Sequence, residues 1–289
     1  MCNYNTDMAD ERIDEYKTVK NLSSIDGIEV KQTAYDEFKI TEVNVLNENG
    51  KNAIQKDIGK YITIDTEEIK YLDDENLLIE KVKAELEKLI PRDNSIFVVG
   101  LGNMYITPDA LGAKVIKGVE ATRHILKFGK LYNNIDTREI SCISPGVMGN
   151  TGIETSEIVN AVANTIKPKT IVVIDSLMSK SISRVGKSIQ ISDTGIIPGS
   201  GITGVNKSID SKSMNAKVIS IGVPMVVDVA TIANEAIEKI EDKRDNSFER
   251  YTKIKNVLDT QNLIVTPKDI DELIEITSRI IYSSINKLI

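Results

Sequence analysis

Short runs of β-branched and aliphatic residues alternate along this chain with segments of helical period, and that alternation restricts the fold more than any other feature. Ile96–Val99 (I-F-V-V), Ile171–Ile174 (I-V-V-I) and Val218–Val223 (V-I-S-I-G-V) read as buried strands. Helical patterns intervene: one begins near Pro108 and runs through His124, a second covers Glu154–Thr165, a third Asp228–Ile240 and the last Ile270–Leu288. Strands without polar alternation need cover on both faces, so the expected fold class is α/β, a mainly parallel sheet flanked by helices. An N-terminal antiparallel β elaboration is expected over residues 27–66, where I-E-V-K-Q-T, F-K-I-T-E-V-N-V-L and Y-I-T-I-D-T are separated by an N-E-N-G turn. Leu72–Ile90 carries apolar residues at Leu77, Leu78, Val82, Leu86 and Leu89, a helical spacing that Pro91 closes. The polar stretch up to Asn21 is expected to be flexible or only partly helical, and Asp242–Asn256 to be a charged surface connection.

At 289 residues the chain is near the size at which one hydrophobic core stops growing. Its net charge of −7 argues against sequence-independent nucleic-acid binding, which needs clustered Lys and Arg. Cys2 and Cys142 give no disulfide framework and suit a reducing compartment. No apolar run reaches the length of a signal peptide or a membrane span, so a cytoplasmic protein is expected.

Asp109 and Asp175 are the residues whose position carries chemistry. Asp109 follows the strand Ile96–Val99 in S-I-F-V-V-G-L-G-N-M-Y-I-T-P-D, and Asp175 ends I-V-V-I-D. Ligands of open α/β sheets bind at the carboxyl ends of strands, so carboxylates from separate strands form a candidate acid/base pair there. His124 is the single histidine, and a continuous helix from Asp109 would carry it roughly 22 Å away. A Ser-His-Asp or Cys-His mechanism would lack its base, so if the chain is a hydrolase, hydrolysis by two carboxylates is what remains.

The glycines need separate readings. G-L-G-N after a strand lacks the third glycine of a dinucleotide fingerprint, since Tyr105 stands there; no cofactor is expected. Ser144–Thr155 and Ser192–Gly204 are too glycine-rich for element interiors and read as long loops that shape a cleft or reverse the chain. Met148, Glu154 and Asp193 lie on these candidate substrate-cleft loops. Asp193 sits in S-D-T-G, a turn in an α/β setting rather than the paired loops of an all-β aspartic protease.

The chain resembles the germination proteases of spore-forming bacteria. The motifs are G-L-G-N-x-x-x-T-P-D-A-L-G (Gly100–Gly112), T-R-H (Thr122–His124), S-P-G-V-M-G-x-T-G-I-E-T (Ser144–Thr155) and I-D-S-L (Ile174–Leu177). They continue in order with Q-I-S-D-T-G-I-x-P-G-S-G (Gln190–Gly201), I-G-V-P-x-V-V-D (Ile221–Asp228) and V-T-P-K-D (Val265–Asp269). The resemblance implies an endopeptidase that starts the degradation of small acid-soluble spore proteins during germination, with its implicated carboxylates at Asp109 and Asp175. It implies a zymogen that trims itself, a homotetramer, a location in the forespore and spore core, and a phosphorylase/hydrolase-like fold akin to hydrogenase maturation proteases. T-D-M-A (Thr6–Ala9) matches the family's acidic-apolar-alanine processing pattern, which implies cleavage between Asp7 and Met8. The implied organisation is a propeptide, 1–7, and a single protease domain, 8–289.

Two other readings stand beside it. A metal-assisted maturation-type endopeptidase would need ligands beyond two carboxylates, and no metal is expected because His124 is placed away from the pair. A non-catalytic peptide-binding module would keep the fold without the chemistry; the presence of Asp109, Asp175 and the processing pattern argues against it.

Overall fold

The computed structural model describes residues 6–20, 23–67, 69–72, 74–128, 137–198, 207–241, 247–258 and 263–289. In chain order the elements begin with α1 (Ala9–Lys20), β1 (Ile28–Ala34), β2 (Phe38–Val45), α2 (Glu48–Ile54), β3 (Gly59–Thr66), α3 (Glu75–Leu89) and β4 (Ile96–Gly100). They continue with α4 (Leu111–Gly118), α5 (Arg123–Phe128), β5 (Ile140–Ile143), α6 (Met148–Thr151), α7 (Thr155–Ile166), β6 (Thr170–Met178) and β7 (Ser188–Ser192). The last are α8 (Ser211–Met214), β8 (Lys217–Asp228), α9 (Val229–Glu241), α10 (Ser247–Leu258), β9 (Ile264–Val265) and α11 (Ile270–Asn286). Two compact units form: the first is Met1–Glu67, Leu177–Gln190 and Val223–Ile270, the second Glu68–Ser176, Ile191–Gly222 and Asp271–Ile289.

The second unit is the α/β body. Its strand order is β8-β6-β4-β5, and β4 pairs in parallel with both β5 and β6. Phe97, Val99 and Leu101 from the β4 segment, Ile171 and Val173 from β6, and Val159 and Ala163 from α7 form one buried cluster. Each fully buried aliphatic side chain here contributes about 1.5–3 kcal/mol by leaving water. Helix α3 is capped by the Asp74 carboxylate, which accepts from the Asn76 N–H at 2.8 Å. It buries Leu78, Ile79, Val82, Leu86 and Leu89, the expected period.

The first unit contains the expected antiparallel meander, β1 on β2 on β3, with β7 and β8 following in order and β9 antiparallel to β8. Val43, Val45, Ile54 and Tyr61 bury against Ala9 and Ile13 of α1.

Several segments differ from their sequence-based reading. N-E-N-G starts α2 rather than a hairpin: the Asn47 side chain accepts from the Gly50 N–H at 3.0 Å. The polar N-terminal stretch forms α1, with Met8, Ala9, Glu11, Ile13 and Glu15 buried. The helix begun near Pro108 is not continuous through His124. It stops at Gly118, Val119 is extended, and Thr122 joins β5 instead, its N–H donating to Ile140 O at 2.9 Å. Of the charged connection, residues 242–246 lie outside the described set, but α10 occupies the rest and fully buries Tyr251, whose hydroxyl donates to Asp228 Oδ2 at 2.8 Å. The loop from Ser144 contains α6, and the one from Ser192 begins as the end of β7; residues 199–206 of it lie outside the described set.

Candidate active site

Asp109 and Asp175 arrive at the same edge of the second unit, Asp175 on β6 and Asp109 on the loop that leaves the neighbouring strand β4. Gly100 pairs with Ile174, and the Leu101 N–H donates to Ile174 O at 2.8 Å. Asp175 is the next residue of β6, 9% exposed, with Oδ1 accepting from the Ser176 N–H at 2.9 Å. Asp109 closes a 3₁₀ turn, Thr107–Asp109, just before α4. Its Oδ2 accepts from the Asn103 N–H at 2.8 Å. Burial pushes the Asp109 carboxyl above its ordinary value, and the Asn103 hydrogen bond opposes the shift without cancelling it.

Glycines make this approach possible. A methyl group on Gly102, whose φ is +94°, would sit 1.9 Å from the Asp109 carbonyl oxygen. One on Gly112 would sit 2.5 Å from Leu101 N and 2.6 Å from Ile174 O. The strand ends and the turn bearing Asp109 therefore pack backbone on backbone. Tyr105 at the loop tip is 87% exposed, flanked by exposed Met104 and Ile106.

The loop after β5 leaves from the same edge, because β5 is parallel to β4. Asn150 Nδ2 donates to Asn103 Oδ1 at 3.5 Å, joining it to the Asp109 loop. Met148 is 52% exposed, so it is no packing residue. Glu154 faces another partner: its Oε1 accepts from the Lys207 N–H at 2.6 Å, and that bond holds its carboxyl below the ordinary value. Asp193 follows β7 and is half-buried. The adjacent Ser192 hydroxyl meets Ser220 Oγ at 2.9 Å, and a methyl group on Gly195 would meet Ile209 O at 2.2 Å. The neighbours of Asp193 are thus fixed by packing, while β8 and β6 separate β7 from β4 in the strand order.

His124 is exposed on α5. Among the described residues no group of three or more His, Cys, Asp and Glu side chains is arranged to hold a metal ion. No helix there is long and apolar enough to cross a membrane.

Asp7 and Met8, where processing is expected, lie in the first unit. Asp7 pairs with Met178: its N–H donates to Met178 O, and its Oδ2 accepts from the Met178 N–H, both at 2.9 Å. The Asp7 carbonyl accepts from Lys56 Nζ at 2.7 Å and Gln190 Nε2 at 3.2 Å. Met8 is fully buried, and the Ala9 N–H donates to Gln190 Oε1 at 2.8 Å. Glu11 anchors the start of α1: it accepts from Ser179 Oγ at 2.6 Å, from the Lys180 N–H at 2.8 Å and from Thr6 Oγ1. Arg184 bridges Asp10 and Asp65, each at 2.7 Å. Burial raises the carboxyls of Asp10 and Glu11, with Arg184 opposing the rise. Sequence reasoning missed Asn103, Lys56 and Gln190. Asn103 and Gln190 stand inside the recognised motifs, whereas Lys56 has no signal beyond its charge.

The family model for "Germination protease" matches residues 5–250 of the chain. Among similar proteins are germination proteases of Clostridium tetani, 43% identical over 97% of this chain and 94% of its own length, and of Clostridium perfringens, 40% identical over 99% and 95%. That of Caldanaerobacter subterraneus is 38% identical over 97% and 92%. A solved [NiFe] hydrogenase maturation protease from Thermococcus kodakarensis is 18% identical, with a TM-score of 0.32 over 49% of this chain and 80% of its own; at that score the likeness carries no weight. With a family match across most of the chain and relatives this similar along nearly their whole length, the chain belongs to the germination protease family and is a peptidase.

Proposed function

We propose that Asp109 and Asp175 form the catalytic dyad of an endopeptidase that initiates breakdown of small acid-soluble spore proteins during germination. The observation that supports this most directly is the arrival of both carboxylates where β4 ends against β6, Asp175 on β6 itself and Asp109 on the loop packed over Gly102 and Gly112, in a chain of this family. One carboxylate, ionised, takes a proton from an attacking water. The other, protonated, donates to the scissile carbonyl or the departing amine. Burial raises Asp109, which favours a protonated member at mildly acidic pH. The proton belongs to the pair, so neither role is tied to one residue.

The same reading makes residues 1–7 a propeptide removed by cleavage between Asp7 and Met8, and residues 8–289 the protease domain. The homotetramer, the forespore and spore-core location, and the contribution of the loops bearing Met148, Glu154 and Asp193 to the substrate cleft rest on family membership and on loop position.

Intact-mass spectrometry of wild type, Asp109→Asn and Asp175→Asn at mildly acidic pH, with and without a chelator, tests the dyad. Trimming in wild type alone, chelator or not, is expected, with turnover of spore-protein substrate lowered roughly 10²–10⁴-fold in either variant. Substantial turnover in either variant defeats the assignment, and chelator-sensitive trimming transfers the chemistry to a metal.

A further inference from the structure

The groups around Asp7 suit a peptide carboxylate better than the peptide bond they now hold. Lys56 Nζ and Gln190 Nε2 converge on the carbonyl oxygen of Asp7, at 2.7 and 3.2 Å. Gln190 reads the backbone on both sides of the Asp7–Met8 bond, because its Oε1 accepts from Ala9 N. The Asp7 main chain and side chain are both fixed by Met178. A half-buried ammonium directed at a neutral carbonyl leaves part of its desolvation uncompensated, and that desolvation pulls Lys56 below its ordinary value. The carboxylates of Asp7, Asp57 and Glu11 support its charge, and Arg12 opposes it.

Resting on the proposed cleavage at this bond, we infer that the first unit contains a site for a peptide ending in an acidic residue with a free carboxylate. Its first occupant is the severed segment ending at Asp7. Hydrolysis breaks the Asp7 C–N bond. The hydroxyl of water joins the Asp7 carbonyl carbon and its hydrogen joins the Met8 nitrogen. The carboxyl proton then passes to the amine, leaving an α-carboxylate on Asp7 and an α-ammonium on Met8, with no net proton released. The new carboxylate carries a full negative charge where Lys56 and Gln190 already point, so the Lys56 contact becomes an ion pair and the Gln190 contact a charge-assisted hydrogen bond, about twice as strong as a neutral one. The contacts with Met178 need no change. The cut segment therefore stays as a bound peptide, and fragments that end in Asp or Glu compete for its place.

Gel filtration and native mass spectrometry of the full chain after trimming test this, beside denaturing intact mass on the same sample. The expected result is complete trimming under denaturing conditions, with the segment ending at Asp7 still bound under native ones. A synthetic copy of it with a free C-terminal carboxylate should displace it, and a C-terminal amide should do so roughly ten- to a hundredfold less well. Lys56→Met, checked for wild-type melting, should release the segment. If the chain trims and the segment elutes freely in wild type, or acid and amide compete equally, the site is overturned while the protease reading stands. If no trimming occurs at Asp7–Met8, the carboxylate never forms, and both the cleavage reading and this inference fall.

Discussion

Two glycine-bearing loops leave the same sheet edge, and they use glycine for opposite reasons. In the loop from β4 to α4, methyl groups at Gly100, Gly102 and Gly112 would meet backbone atoms at 2.1, 1.9 and 2.5 Å. In the loop after β5, the nearest atom to a methyl group on Gly146 is 3.6 Å away, and Gly149 and Gly152 have open space. The first loop is a packed frame that fixes Asp109 against the paired strand ends. The second is an open turn held to the first by Asn150 and Asn103. Glycine content alone does not separate a rigid mount for a carboxylate from a solvent-facing turn; only the distance to the next backbone does.

The contrast breaks most sharply at Asp109. Asp109→Asn should cost roughly 10²–10⁴ in turnover while the frame survives, because Asn Oδ1 can still accept from Asn103 N–H. Its effect on stability has the opposite sign. The folded-state carboxyl is raised above 3.8, so the stability it contributes is present below that value and lost as pH rises through the folded one. At neutral pH the ionised group costs stability. The variant should melt at or above wild type there, with the difference vanishing below about pH 4. A variant that melts lower at pH 7 than wild type would show that Asp109 holds the frame together.

Gly112→Ala and Gly102→Ala should each destabilise by more than about 3 kcal/mol in urea unfolding, because backbone rather than flexible side chain must give way. Wild-type stability for either would remove the case for a rigid frame. Gly152→Ala meets no clash, but φ is +71°, and a cost of about 1 kcal/mol is expected from backbone conformation alone. Gly149→Ala, in α6 with open space, should change stability by less than about 1 kcal/mol and favour the helix. A large loss there would mean that the second loop is as closely packed as the first.

The sequence was most legible where one short segment carries its own physics. The β-branched runs of β4, β6 and β8 marked the body, and Asp175 stood out because it ends the run I-V-V-I, Asp109 because it follows the loop that leaves I-F-V-V. Segments whose partners are distant in sequence were not legible. Helix α1 looked too polar to dock, yet Glu11 is met by Ser179, Lys180 and Thr6, and Asp10 by Arg184. Helix α10 looked like surface because the burial of Tyr251 depends on Asp228. Gly118 stopped no period in the sequence, and the helix break follows from Thr122 bonding to Arg138 and Ile140. Lys56 was invisible for the same reason, since its role exists only once Asp7 is folded onto it.

The parallel register of β4 on β6 matches Ile96 with Thr170, partners far apart along the chain. Such pairing forms slowly and late, after the intervening chain has been ordered. During synthesis, Asp109 leaves the ribosome long before Asp175, and a nascent chain that ends between them carries one proposed catalytic carboxylate without its companion. The proposed pair is therefore completed by strand pairing, at the moment when β6 seats itself against β4, and not by the appearance of either aspartate.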